Sequence, residues 1–236
     1  MNGDIAEKLV TIAENQKKIY EAGKAAGGDT DAVYQQGVTD GKQAEYDRFW
    51  DAYQNSGKRT TWHYAFAGEG WTDELYNPKY PIRATGGYSM QNMYSGSLIT
   101  DTKIPITDAN GSFHSNMFST ATKLETIRKI IIGRADGLNF GNTNFASCIA
   151  LKNITVEGVI NGKANYTDPN FQWSPLTTES MKNIILCLRD YTGTENEYAC
   201  TVKFSDACWV ELDAEGATAP GNITWAEYVA AKSWNV

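Results

Sequence analysis

A ladder of residues at three-residue steps recurs along this chain at a nearly constant offset, and it narrows the possible folds more than any other feature. Phe118, Ala121, Leu124 and Ile127 make one copy, and Phe145, Cys148, Leu151 and Ile154 repeat it 27 residues later. A third copy stands upstream, where Asn92-Met93-Tyr94-Ser95 matches Asn116-Met117-Phe118-Ser119 at an offset of 24 and Ser97 falls in the small-residue slot. In that copy Thr100 and Lys103 stand where Leu and Ile are expected. Periods of roughly 20 to 50 residues mark units that cannot bury their own apolar face and must be covered by a stacked neighbour. The expectation is a stack in which Leu124 to Ile132 and Leu151 to Ile160 supply strands, with the aromatic and small residues inside the opposite wall.

The run Phe145-x-x-Cys148-x-x-Leu151-x-x-Ile154 resembles the BspA-like leucine-rich repeats of bacterial surface proteins and gut phages. So does Gln172-Trp173-Ser174-Pro175-Leu176, leading into Ser180-Met181-x-x-Ile184-Ile185-x-x-Leu188 and Tyr191-Thr192-Gly193-Thr194. The resemblance covers residues 86 to 236, and Ala44-Glu45-Tyr46-Asp47-x-Phe49-Trp50-Asp51 resembles the neck that joins a helical start to such repeats. It implies a phage or prophage structural product of the virion, made in a bacterial host cytoplasm.

Residues 4 to 26 carry an apolar seam with heptad spacing: Leu9, Gln16 and Gly23 at a, and Ile5, Ile12, Ile19 and Ala26 at d. Ile at d with Leu at a favours three or four strands over two, and polar Gln16 bears on register. Such a helix spans about 33 Å and is marginal alone, so its stripe calls for a partner. Self-association, trimeric rather than dimeric, is the favoured reading; folding back on the same chain is the other.

Gly27-Gly28 ends that helix, and Thr30 or Asp31 caps a second one whose Tyr46, Phe49, Trp50 and Tyr53 share a face. From Thr60 to Tyr80 the chain is irregular and aromatic, which suggests a plug over the first unit. Beyond Ile160, Asn170 to Leu176 is expected to cross the open end. A helix capped by Thr177 or Thr178 follows, then strands at Ala199 to Phe204 and Trp209 to Leu212, and a last helix from Thr224 to Ala231.

The expected fold class is therefore α+β: an N-terminal coiled-coil helix, then a short leucine-rich-repeat solenoid of the BspA-like kind with an α/β C-terminal cap. Five segments follow: coiled coil 1–28, second helix or neck 29–58, aromatic N-terminal cap 59–88, repeats 89–163 and C-terminal cap 164–236.

Lys and Arg number 21 against 28 Asp and Glu, a net of −7, with no basic cluster. Nucleic acid and anionic membranes are therefore not expected partners, since both select a concentrated positive face. No stretch has the apolar length of a membrane span, and residues 1 to 26 lack the apolar centre of a signal peptide. Cys148, Cys187, Cys200 and Cys208 show no paired spacing and read as small buried hydrophobes.

Neither His63 nor His114 has Cys or carboxylate at ligand spacing, so no metal or cofactor is expected. The best enzymatic case is Glu69 with Asp73 or Glu74 amid Trp62, Trp71 and Tyr76, as glycosidases need two carboxyls beside a sugar platform. The preferred expectation is a non-enzymatic virion protein of a tail, baseplate or capsid fibre. Its helix oligomerises and its head recognises other virion proteins or a host cell-surface glycan or protein. The alternatives are a carbohydrate-binding module or surface adhesin with Trp62, Trp71 and Tyr76 facing the ligand and, less favoured, a glycoside hydrolase.

Overall fold

The computed structural model describes residues 62, 65–76, 78, 82–84, 90–108, 116–133, 137–139, 145–162, 168–193 and 200–236, with residue 41 standing apart from them. The chain divides into two units, Met1–Gly57 and Lys58–Val236. All described residues but residue 41 belong to the second. The expected coiled coil, with Ile5, Leu9, Ile12, Gln16 and Ile19, lies outside the described residues, as do Tyr46, Phe49, Trp50, Tyr53, His63 and His114.

The second unit is a mixed α/β structure built on a parallel four-stranded sheet. Strands β1 (Ile82–Ala84), β2 (Pro105–Asp108), β3 (Thr126–Ile132) and β5 (Asn153–Glu157) lie in the order β1-β2-β3-β5. Parallel neighbours need a long return connection. Here the register sets Ile82, Ile106, Ile130 and Val156 in one row, all of them buried. Two short parallel pairs flank the sheet: β4 (Leu138–Asn139) with β6 (Ile160–Asn161), and β7 (Asn170–Phe171) with β8 (Lys203–Phe204).

Each pass of the chain places one aromatic ring in the interior. The rings of Phe66, Tyr94, Phe118, Phe145, Phe171 and Phe204 stack in sequence, with centroids 5.3, 5.5, 5.3, 4.6 and 5.8 Å apart and interplanar angles of 25° or less. Offset aromatic pairs contribute about 0.5 to 1.5 kcal/mol beyond their buried area. Three residues past the ring, a small residue closes a turn: Ser97, Ala121, Cys148 and Ser174 donate their N–H to the carbonyls of Tyr94, Phe118, Phe145 and Phe171. Two residues before the ring, Asn92 and Asn116 adopt φ of 53° and 59°. Asn tolerates that left-handed conformation better than most residues, which accounts for the repeated Asn-Met-aromatic-Ser wording.

The upstream copy is less eroded than its spacing suggests. The carbonyl of Thr100 accepts from Glu125 and Thr126, as the carbonyl of Glu125 accepts from Lys152 and Asn153. Thr100 is therefore the counterpart of Glu125, and the Leu slot belongs to buried Ile99. The reason is a turn one residue shorter between ring and strand. The bridge of Asp101 with Thr126 puts Thr102, not Lys103, in the Ile slot. Thr102 is buried, and its Oγ1 accepts from the N–H of Arg128 at 2.9 Å.

Residues 65–71, within the stretch expected as an irregular aromatic plug, are turns and coil; Phe66 and Gly68 donate to the carbonyls of Met93 and Ser95, as Tyr94 and Gly96 donate to those of Met117 and Ser119, so they cover the first ladder copy. Three further expectations are corrected. Asn170 to Leu176 does not cross the end; Phe171 stacks on Phe145, and Thr177 N–H reaches the carbonyl of Lys152 at 2.9 Å. Trp209 to Leu212 is helical, inside α2 (Asp206–Asp213), because Ser205 caps the run and aims Cys208 and Leu212 inward. Of the strand expected over Ala199 to Phe204, the described residues 200–204 are strand at Lys203–Phe204.

Helix α1 (Thr178–Cys187) replaces the next strand. Thr177 caps it, accepting from Ser180 N–H, and Met181, Ile184 and Ile185 are buried. Its polar side chains satisfy the free edge of β5. Ser180 Oγ accepts from Ile154 N–H at 3.0 Å, Asn183 Oδ1 accepts from Val156 N–H at 2.6 Å, and Asn183 Nδ2 donates to the Val156 carbonyl at 3.1 Å. Helix α3 (Trp225–Ala231) starts in a capping box of Thr224 and Glu227. Beyond it, Lys232 Nζ donates to the carbonyls of Ile185, Leu186 and Leu188, closing the end of α1.

Candidate functional site

The outward face of the sheet is built by alternation. Along β5 the burial pattern puts Ile154 and Val156 inside and Asn153, Thr155 and Glu157 outside. In β3 the pairing shifts between Ile127 and Ile130, so that Arg128 and Lys129 stand opposite Thr155. A bulge of this kind sends two neighbouring side chains out together. Arg83, Thr107, Arg128, Lys129, Ile131, Asn153, Thr155 and Glu157 thus share one polar surface.

Charge on this surface is spent between adjacent passes. Asp101 pairs with Arg128 through Nε at 3.0 Å, Glu125 pairs with Lys152 at 3.2 Å, and Lys129 pairs with Glu157. Asp73 accepts from Thr100 N and Oγ1 at 2.9 and 2.7 Å. Exposed pairs of this sort contribute about 0 to 1 kcal/mol each, so their larger effect is to neutralise the face locally.

A second surface runs along the turns behind the small residues. Leu98 and Ile149 directly follow buried Ser97 and Cys148, Trp173 precedes buried Ser174, and Val210 lies two residues past buried Cys208. Ser174 Oγ donates to the Cys148 carbonyl at 3.0 Å and Cys208 Sγ to the Ser174 carbonyl at 3.6 Å, which fixes these turns side by side. Ile149, Trp173 and Val210 are 57%, 63% and 69% exposed. Sequence reasoning passed over these residues, which stand at three different offsets from their small residues and so share no slot in the ladder.

The residues assigned from the ladder, Tyr94, Phe118, Leu124, Ile127, Phe145, Cys148, Leu151 and Ile154, are all buried. The aromatics expected to face a ligand are placed differently. Trp62 and Tyr76 are in the core: Trp62 Nε1 donates to the Arg83 carbonyl, and Tyr76 OH bonds Tyr94 OH at 2.7 Å and the Thr102 carbonyl at 2.8 Å. Trp71 is half-buried, edge-on to Phe66 at 5.2 Å. Burial at the start of the ring stack outcompetes exposure because these side chains gain more area there. The carboxylate of Asp73 is engaged by Thr100, while Glu69 and Glu74 are exposed.

All four cysteines are free thiols. Burial pushes the Cys148 thiol up to about 12, and raises Cys187 and Cys200 as well, so these groups stay protonated and weakly nucleophilic. Among the described residues no group of three or more His, Cys, Asp or Glu is placed to hold a metal ion, and no helix is long and apolar enough to cross a membrane. No family model, curated protein or solved structure matches the chain.

Proposed function

We propose that this chain is a non-enzymatic assembly and recognition protein, with a short leucine-rich-repeat head of the BspA-like kind carried on a self-associating N-terminal helix. The observation that carries this reading is the stack of Tyr94, Phe118 and Phe145, one ring above the next while their strands pair in parallel. Carboxylates are used to brace one pass against another, the economy of a scaffold. The resemblance of the head to phage structural products supports a place in a virion appendage: tail, baseplate or capsid fibre. Several heads on one stalk gain avidity for a cell surface or neighbouring virion protein without new contacts.

Light scattering tests the stalk. The intact chain is expected to be a trimer, and replacing Ile12 and Ile19 by Asp is expected to yield a folded monomer. A monomeric parent at working concentration overturns the reading.

A second reading, glycan recognition, is favoured by the exposed side chain of Trp173. Aromatic faces of this kind suit the apolar face of a sugar ring. Titrating cell-wall glycans is expected to change tryptophan fluorescence in the parent and not in Trp173→Ala. No response of the parent across a broad set of glycans removes this reading.

A further inference from the structure

Asn161 and Gly162 form an Asn-Gly pair, the sequence in which an asparagine side chain cyclises most readily, because glycine leaves the following nitrogen unhindered. For this, Gly162 N bonds to Asn161 Cγ and gives up its proton to a solvent base. The Cγ–Nδ2 bond breaks and ammonia leaves. Water then opens the succinimide at either carbonyl, giving aspartate or isoaspartate.

Tyr191 stands across this reaction. Its hydroxyl oxygen accepts the N–H of Gly162 at 3.1 Å and its proton is donated to Asn161 Oδ1. One hydroxyl therefore ties the would-be nucleophile and the group it would attack into a fixed arrangement. Asn161 is also held in β6 by pairing with Asn139. Ring closure must break the Gly162–Tyr191 bond and turn the backbone out of its extended form.

Tyr191 is itself held by the C-terminal segment. Its N–H donates to the Lys232 carbonyl at 3.1 Å, its ring lies 5.9 Å from that of Trp234, and Thr192 Oγ1 donates to the Ala231 carbonyl at 2.7 Å. Trp234 Nε1 donates to the Arg189 carbonyl at 2.8 Å, and Cys200 Sγ donates to the Gly162 carbonyl. Gly162 fits so closely that a Cβ there would meet Trp234 at 2.5 Å and Cys200 Sγ at 2.7 Å.

We infer that Asn161 is a latent self-modification site kept closed by the Tyr191 hydroxyl, and that the seating of residues 231 to 235 gates it. When that segment lifts, Tyr191 is released and Asn161 converts. Isoaspartate adds a methylene to the backbone directly before this closely packed glycine, which is expected to keep the segment from reseating. The site works as a one-way record of C-terminal opening.

The test is peptide mapping of the full chain after incubation at mildly alkaline pH, reading the amide-to-acid mass gain and isoaspartate at Asn161. Conversion in the native protein is expected to be slower than in denaturant by at least about tenfold, since only the open fraction reacts. Tyr191→Phe, shown folded by circular dichroism, is expected to convert several times faster than the parent. Trp234→Phe, which keeps a ring but loses the bond to Arg189, is expected to do the same and serves alone if Tyr191→Phe does not fold. Equal rates in native and denatured parent overturn the inference, and so do folded variants that convert at the parent's rate.

Discussion

The small slot behind each ring shows how closely successive passes approach. Cys208, Ser174 and Cys148 each turn a side-chain donor onto a carbonyl of the preceding pass, those of Ser174, Cys148 and Phe118. Ala121 carries no donor. Ser97, at the same position, is buried, and its Oγ finds no hydrogen-bond partner among the described residues. An unsatisfied buried hydroxyl costs about 1 to 3 kcal/mol. Ser97→Ala is therefore expected to stabilise the second unit by about 1 kcal/mol in urea unfolding, with unchanged slope. Ser174→Ala, which deletes the bond to Cys148, is expected to shift the midpoint the opposite way.

Among the elements, α1 carries the least expected task. An open strand edge offers a row of unpaired N–H and C=O groups and invites association. Here the edge of β5 is met by side chains of a helix, at Ser180, Asn183 and Cys187 along one face. The apolar positions Met181, Ile184 and Ile185 press the same helix onto the core. Asn183→Ala leaves the Val156 N–H and carbonyl without these partners and is expected to destabilise the second unit by about 1 to 3 kcal/mol. Static light scattering near the unfolding midpoint should also register increased association. An unchanged midpoint would mean that water replaces the Asn183 amide without loss.

At the scale of the unit Lys58–Val236, the ring stack is expected to make stability a matter of neighbours. In a linear stack each unit contributes its own stability and one interface on each side. Phe118 has Tyr94 on one face and Phe145 on the other, whereas Phe204, the last ring of the stack, meets Phe171 and the edge of Trp209. Phe118→Ala is expected to cost about 3 to 5 kcal/mol. Phe204→Ala should cost less, because it opens only one ring-on-ring interface. Equal losses in parallel urea titrations would show that the unit melts as one undivided core.

The ladder around Phe118 and Phe145 was legible because ring, small residue, Leu and Ile recur at steps that a side chain must obey to face the interior. The helix starts near Thr177 or Thr178 and at Thr224 were legible for the same local reason, and the structure makes Thr177 and Thr224 the caps, their hydroxyls meeting N–H groups three residues on. The membership of Phe66 in the stack was hidden because its pass lacks the small residue, Leu and Ile of the others, and that of Phe171 because buried Leu176 falls one residue early and a helix stands where the next strand is expected. Ile99 was hidden by a turn one residue shorter, which only pairing across the sheet reveals. The inward burial of Trp62 and Tyr76 and the hold of Tyr191 on Asn161 join residues 18 to 30 positions apart. No local pattern encodes such contacts; they exist only once the passes are laid on one another and each surface is either covered or left to water.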